Sequence, residues 1–510
     1  MLYNSPFLQL LQQLPPSYEI CIHNNKVLTA KELIEQSKKL AAYLERNTVK
    51  KGDHVLVASE MGIEFLILFI ALIHLRTKIA LVDPHMGNQL YAAKLKQFQP
   101  KWAFIDSRLL LLQEHPLIRY IYKKTAKNPF YIPYSKAYGI FATGIRLPLL
   151  QKNKRLQYNV QTTDTLHESD PEDEFLIVYT SGTLAEPKAV VHTMNSLYES
   201  MLTIASLFES NTKASMVTHL PQFALIGMIT GYKTFFWKET LPAKERIAFI
   251  KQHQITTLFG PPAEYRELML YCKEHDQPFP ESLTHLILGS APVLKSLLVE
   301  LRQLTTAKIT CLYGMTEHLV VASVDGDEKI NYKGKGDLLG RPLQKMQYKI
   351  NDDGELLIKS PLLFKRYFHL QDADEYHASG DLVELDDEGR LVMKGRKKNM
   401  IIKANKNIYP GLYETTIAQI KGVNEVCMLG IYDELIHDER VILVLDADKT
   451  VTAKSVLQEL KNGKNAIDSD ALPDHILFQP IPKAGRQQKV DRNKLLEQIK
   501  QQLPSLTTSS

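Results

Sequence analysis

The sequence predicts an α/β protein: a large N-terminal domain of doubly wound α/β layers with a small antiparallel β unit, followed by a smaller, mobile α+β C-terminal domain. Three observations lead there. Short apolar runs alternate with helical periodicities early in the chain, the signature of parallel strands joined by helices. From residue 346 the texture changes to short alternating segments with turns at Asp353-Gly354 and Glu388-Gly389. A glycine-led, charged link, Gly395-Arg396-Lys397-Lys398-Asn399, then introduces new strand-like runs, which separates domains 1–395 and 396–510.

A chain of 510 residues has room for about two to four domains, each able to bury a core. Hydrophobic content of 44% with 23% charged residues is that of an ordinary soluble protein. A formal charge of +5 is small for this length and argues against nucleic acid as a partner. Cys21, Cys272, Cys311 and Cys427 lie far apart with no metal-ligand spacing, as expected of reduced, buried thiols in a cytoplasmic protein. The N-terminal residues carry no basic-then-apolar leader, and the apolar run Phe65–Ile73 is far too short to span a membrane. That run reads as a buried helix.

In order along the chain, residues 28–46 have helical spacing after a Thr29 cap. A turn at Lys51-Gly52-Asp53 leads to a strand at His54–Ala58, a helix over 63–75 and a strand at Ile79–Val82. Residues 119–170 are basic, polar and weakly patterned, and no element is assigned to them. Phe175–Val178 is a short strand that breaks into Thr180, Ser181, Gly182 and Thr183, followed by Lys188. Such a loop can wrap a polyanion with backbone N–H groups while the lysine adds a point charge. It is not a Walker A loop, because Pro187 replaces the second glycine and Ala189 the Mg²⁺-binding hydroxyl residue. An ordinary polar strand-to-helix loop explains these residues equally well.

Leu286–Leu288 is a strand ending in the small-residue turn Gly289, Ser290, Ala291 and Pro292. Leu294–Leu304 is helical, and the strand Lys308–Tyr313 ends in Gly314 to Glu317. Loops at 180–188, 289–292 and 313–317 thus all follow strands, where open α/β sheets collect ligands, which favours a shared nucleotide site. Short strands follow at Tyr348–Ile350, Glu355–Ile358, Leu382–Leu385 and Arg390–Met393, and beyond the link at Asn424–Leu429 and Val441–Leu445. Lys489 precedes a final helix capped by Asp491.

Together these motifs resemble the adenylate-forming superfamily of acyl-CoA synthetases, adenylation domains and luciferases. The family's phosphate loop is matched by Tyr179 to Ala189, its Tyr-Gly-x-Thr-Glu motif by Tyr313 to Glu317, and its Gly-Asp motif by Gly380-Asp381 with Gly395-Arg396 downstream. Asn407 to Pro410 match its Asn-Ile-Tyr-Pro segment, with Glu414 at the usual acidic position, and Gln488 to Arg492 match its terminal lysine motif. Singly, Tyr313 would read as core, Asp381 as a turn residue and Lys489 as a solvated charge. Their order within one family pattern reverses that reading.

The resemblance implies that a carboxylic acid attacks the α-phosphate of ATP, giving an acyl-adenylate and pyrophosphate, and that a thiol then displaces AMP. It implies that Thr180, Ser181, Gly182, Thr183 and Lys188 contact the β- and γ-phosphates, Thr316 the α-phosphate, and Glu317 the Mg²⁺. Tyr313 and the turn Gly289-Ser290-Ala291-Pro292 would border adenine, while Asp381 would hold the ribose with support from Arg396. Lys489 would serve adenylation, and Lys398 holds the hinge position. The acceptor would be CoA, or an acyl or aryl carrier protein.

Departures from the pattern are Leu184, Ala185 and Ala189 in the phosphate loop, Ala404-Asn405 before Asn407, Ala224 where many members have His, and Leu412 for a usual Glu. They admit a degenerate nucleotide-binding member without catalysis, but Lys188, Glu317, Asp381, Arg396 and Lys489 all persist, favouring an enzyme. Phe223 to Gly227 offer no carboxylate for an α-amine, so an apolar acid such as a fatty acid is expected, an aryl acid next. His192 reads as a packed or capping histidine, and His437-Asp438-Glu439 as a solvated turn rather than a metal set.

Overall fold

The computed structural model describes residues 2–24, 26–82, 88–125, 139–147, 150, 154–161, 166–168, 170–179, 188–208, 214–218, 224–237, 241–403, 406–433, 438–484 and 489–506. The α/β architecture expected from the sequence is present. One large sheet has eight strands, running from Arg366–Tyr367 through Ala189–Thr193, Glu174–Tyr179, Lys78–Leu81, His54–Ala58, Trp102–Asp106 and Gly139–Thr143 to Lys154–Arg155. From Glu174–Tyr179 onward every neighbour in it is parallel. The helix Ala30–Arg46 begins where expected, with a reciprocal capping box between Thr29 and Glu32.

The second sheet has thirteen strands. Its parallel half runs from Glu19–His23 to Lys308–Met315, and its other half is the antiparallel unit, joined on through the hairpin partner His318–Asp325 and the strand Asp337–Pro342. The unit is therefore continuous with the sheet rather than free-standing. Between the two sheets lies the apolar helix Ile63–His74, buried from Phe65 to His74. Its core cluster takes in Val55 and Ile79 of one sheet and Met216 and Ile287 of the other. A helix facing apolar layers on both sides has no polar face to keep.

The region left without elements proves structured in part. It holds the helix Pro116–Thr125 and the strands Gly139–Thr143, Lys154–Arg155 and Leu166–Glu168. Strands this short carry too few residues to show a period; Gly139–Thr143 is recognisable only by its parallel pairing with Trp102–Asp106.

Past residue 400, Val423–Asp433, Asp438–Ala447 and His475–Phe478 form a three-stranded sheet. Met428, Leu443 and Leu445 pack with Val456 and Leu460 on one face; Cys427, Ile442 and Val444 pack with Leu495 and Ile499 on the other. This alternation covers both faces with helix and makes the α+β unit. All four cysteines are buried and free, with thiol pKa values raised chiefly by desolvation. Among the described residues no helix is long and apolar enough to cross a membrane.

Candidate active site

Asp381 is the centre of the site. It lies directly opposite Arg396 on neighbouring antiparallel strands, and Gly380 before it turns with φ +73°, a conformation suited to glycine. The carboxylate is 1% exposed. Its Oδ2 accepts from Tyr313 Oη at 2.7 Å, and its Oδ1 lies 2.8 Å from Arg396 Nε. The Arg396 contact is an ion pair not aligned as a hydrogen bond, so Oδ1 remains an acceptor without a donor. A buried oxygen left in that state suits a hydroxyl-bearing ligand. Burial, then the Asp381 charge, pushes the Tyr313 phenol far up, so it stays a donor.

Tyr313 is itself buried, packed with Val321, Ala322, Leu339 and Leu356. The motif around it is not a loop after a strand, as expected, but the closing end of a hairpin. The strand runs on to Met315, a register shift falls between Tyr313 and Met315, and Thr316-Glu317 turn into His318–Asp325. Gly314 permits this, because a Cβ there would sit 2.3 Å from the Leu319 carbonyl oxygen across the hairpin. The turn is then pinned by His192, whose Nε2–H donates to the Thr316 carbonyl at 2.8 Å. His192 is fully buried, and desolvation lowers its pKa, so it is a neutral, packed imidazole as the sequence suggested.

Glu317 accepts from Tyr367 Oη at 2.7 Å, and Lys188 Nζ stands 5.3 Å from the Tyr367 ring centre. Pairing of Tyr367 with Val190 brings the aromatic residue here. No motif flagged Tyr367; an isolated tyrosine shows nothing until its strand partner is known. Thr180, Ser181, Gly182 and Thr183 lie outside the described residues. The turn after His285–Leu288 is in place, with Ser290 at φ +70° and a Cβ on Gly289 lying 3.3 Å from Leu312 Cβ. It therefore lies beside the Tyr313 strand.

Lys489 reaches the same place from the far end of the chain. Its pKa is lowered to about 8, first by desolvation and then by Arg396, while Asp381 and Glu317 oppose the shift. Lys398 is lowered too, by desolvation, then by Arg396, Lys188 and Arg492 against Asp381. Lys188, Arg396, Lys398 and Lys489 thus converge on Asp381 and Glu317, as a site for a polyanion requires. Lys489 is held by a two-strand hairpin pairing Ala484 with Lys489, and by Arg492 just beyond. Arg492 grips both Glu414 oxygens at 2.5 and 2.6 Å and the Met428 carbonyl at 2.7 Å. Glu414 also accepts from Met428 N–H at 2.7 Å, fixing that strand to the helix Pro410–Ile417.

Glu317, with one hydrogen-bonded oxygen, fits Mg²⁺ as a single carboxylate ligand beside substrate phosphates, the usual manner of holding this ion. Among the described residues no group of three or more His, Cys, Asp or Glu could form a complete protein cage, so a shared site is the one these residues suit.

The AMP-binding enzyme family profile matches residues 11–368. The chain belongs to that family. It is 25% identical to the 2-succinylbenzoate–CoA ligase of Bacillus velezensis over 444 residues, 82% of this chain and 84% of the relative. It is 26% identical to the malonate–CoA ligase of Arabidopsis thaliana over 385 residues (64% and 61%) and 24% identical to the long-chain-fatty-acid–CoA ligase FadD13 of Mycobacterium tuberculosis over 327 residues (59% and 65%). The fold is that of o-succinylbenzoate CoA synthetase (MenE) from Bacillus subtilis, solved with the acyl-adenylate OSB-AMP, at TM-score 0.76, 21% identity and coverage of 96% of this chain and 98% of that one. It is equally that of ATP-bound MatB from Rhodopseudomonas palustris, at TM-score 0.78, 20% identity and coverage of 96% and 98%.

Proposed function

We propose that this family member is an AMP-forming acid–CoA ligase whose acid is apolar. Its domains meet just after Arg396, one residue beyond the 395/396 boundary expected from the sequence, because Arg396 closes the strand Leu391–Arg396 of the large sheet. The observation that carries the reading is the convergence of Lys489 on Asp381, Arg396 and Glu317. Asp381 Oδ1 accepts from a ribose hydroxyl. Lys188, Lys489 and Thr316 border the triphosphate, with Thr180 to Thr183 as its backbone cradle and the turn at Gly289, Ser290, Ala291 and Pro292 beside adenine. Bound through Glu317, Mg²⁺ supplies charge neutralisation on the phosphates.

In the first half-reaction a carboxylate oxygen of the acid bonds to the α-phosphorus, and the bond to the bridging oxygen breaks, releasing pyrophosphate. Two anions meet in this step, and Lys489 stands between them as a positive charge. In the second, the thiol sulfur bonds to the acyl carbon, AMP leaves with the former carboxylate oxygen, and the thiol proton goes to solvent. Lys398, at the border between sheet and C-terminal unit, is the hinge about which Lys489 withdraws for this step.

An apolar acid is favoured because the helix Ala224–Thr230 is buried and apolar, without a cation for a second carboxylate or an acid for an amine. The acids named for the relatives differ widely, so the test is a panel. Full-length protein with ATP, Mg²⁺ and fatty, aryl and dicarboxylic acids, with CoA and carrier protein in parallel, is expected to release pyrophosphate and form thioester best with fatty acid and CoA. No pyrophosphate with any acid would sink the reading.

A further inference from the structure

The ring of Tyr367 gathers three groups. Its hydroxyl donates to Glu317 at 2.7 Å, Lys188 Nζ lies 5.3 Å from its centre, and the imidazole of His377 meets it edge to face with 6.5 Å between centres. Phe364 closes the group. Its ring lies 4.9 Å from that of His377, again edge to face, and its backbone N–H donates to the Glu317 carbonyl at 2.8 Å. His377 opens the strand His377–Leu385, and Asp381 lies four residues further along that strand. A nucleotide held at its ribose by Asp381 and at its Mg²⁺ by Glu317 therefore has His377 at its triphosphate end. Packing alone does not call for histidine here. Phenylalanine would make both aromatic contacts equally well, whereas a half-buried imidazole brings two polar nitrogens, and no hydrogen bond of either is found among the described residues.

We propose that His377 is a further substrate-contacting residue of the adenylation half-reaction, its ring N–H donating to the terminal phosphates of ATP, the part that leaves as pyrophosphate. The inference rests on the nucleotide site proposed above and adds a neutral donor to its cations. Desolvation lowers the His377 pKa from its ordinary value, with Lys188 adding to the shift and Glu317, Glu355 and Asp374 opposing it. The ring is thus neutral at neutral pH and has one N–H to give. As the bond to the α-phosphorus breaks, negative charge builds on the departing oxygens, and a donor aimed there binds them more strongly. No proton is transferred: the imidazole keeps its N–H throughout.

The test is calorimetric binding of ATP with Mg²⁺, and separately of AMP, to the full chain and two variants. His377→Phe keeps the ring contacts with Phe364 and Tyr367 and removes the N–H. It is expected to weaken ATP binding about tenfold or more, with AMP binding and the melting temperature unchanged, because AMP lacks the phosphates concerned. His377→Gln supplies an amide N–H in place of the ring's and is expected to bind ATP more tightly than His377→Phe. A purely structural role would instead move ATP and AMP binding together and favour phenylalanine over glutamine. Undiminished ATP affinity in His377→Phe, an equal loss for ATP and AMP, or no recovery in His377→Gln would each overturn the inference. Failure of the unaltered protein to bind ATP would sink the nucleotide site and this inference together. An intact binding contrast with no pyrophosphate released from any acid would sink only the ligase reading.

Discussion

The two halves of the candidate site are built in opposite ways. Around Asp381 the parts belong to one sheet: Arg396 faces it across a strand pair, Tyr313 lies further along the same thirteen strands, and all of it closes over a buried carboxylate. Around Lys489 the parts are light. A hairpin with two residues per strand presents the lysine, and ion pairs steady it: Arg492 with Glu414 behind, and Glu425 at the border, which meets both Lys483 and, at 3.1 Å, Arg266 of the large unit. Half-buried pairs of the border kind, still reached by solvent, contribute little each and break readily. The difference teaches that holding the nucleotide is assigned to sheet, while the charge needed for only one half-reaction is assigned to something removable.

The strongest way to break this comparison is Lys489→Ala. The adenylation half-reaction, measured as ATP–pyrophosphate exchange, is expected to fall roughly 10²–10³-fold, the usual scale for losing one aimed charge. Thioester formation from supplied acyl-adenylate should survive, and the variant should lose no stability at neutral pH, because the charge it removes is disfavoured there by burial. Equal loss in both half-reactions would show that Lys489 belongs to the fixed half.

Much of this was legible in the sequence, and the reasons differ by region. The apolar helix Ile63–His74 could be read because burial on both sides leaves a run with no polar face. Asp381, Arg396 and Lys489 could be read only as members of an ordered pattern, since each alone is an unremarkable surface residue type. Tyr367 and His192 could not be read as site residues. Their connections to Glu317 and Thr316 come from strand pairing and burial, which lie between distant parts of the chain and leave no local period. The hairpin at Thr316-Glu317 was missed for a related reason: Gly314 signals a turn by composition, whereas here it serves close approach within a strand.

A second test uses pH. Lys489 titrates at about 8 rather than the ordinary 10.5, so in the free protein it is charged below about 8 and neutral above. If the charged form serves adenylation, kcat/KM for ATP falls as pH rises through about 8, approaching tenfold per pH unit, since this parameter reports the free enzyme. The limb in kcat should lie higher, because the bound triphosphate favours the ammonium. The linked stability effect has the opposite sense. Between about 8 and 10.5 the unfolded chain keeps a proton that the folded chain has lost, so this group makes stability rise with pH, and Lys489→Ala should remove that rise. An alkaline limb that stays in place in Lys489→Ala would assign it to another group.

The smallest expected effect sharpens the fixed half. In Asp381→Asn the amide oxygen can still accept from Tyr313, but the charge facing Arg396 is gone and Oδ1 or its replacement can no longer take a charge-assisted bond from ribose. Loss of such a bond corresponds to about 1.5–3 kcal/mol, which should weaken ATP binding about ten- to a hundredfold in calorimetry and lower the melting temperature as well. Because the ribose is carried through both half-reactions, exchange and thioester formation should drop by a similar factor. A loss confined to adenylation would mean that Asp381 acts chiefly by setting the charge on Lys489, and the division between a fixed and a removable half would have to be redrawn around that pair.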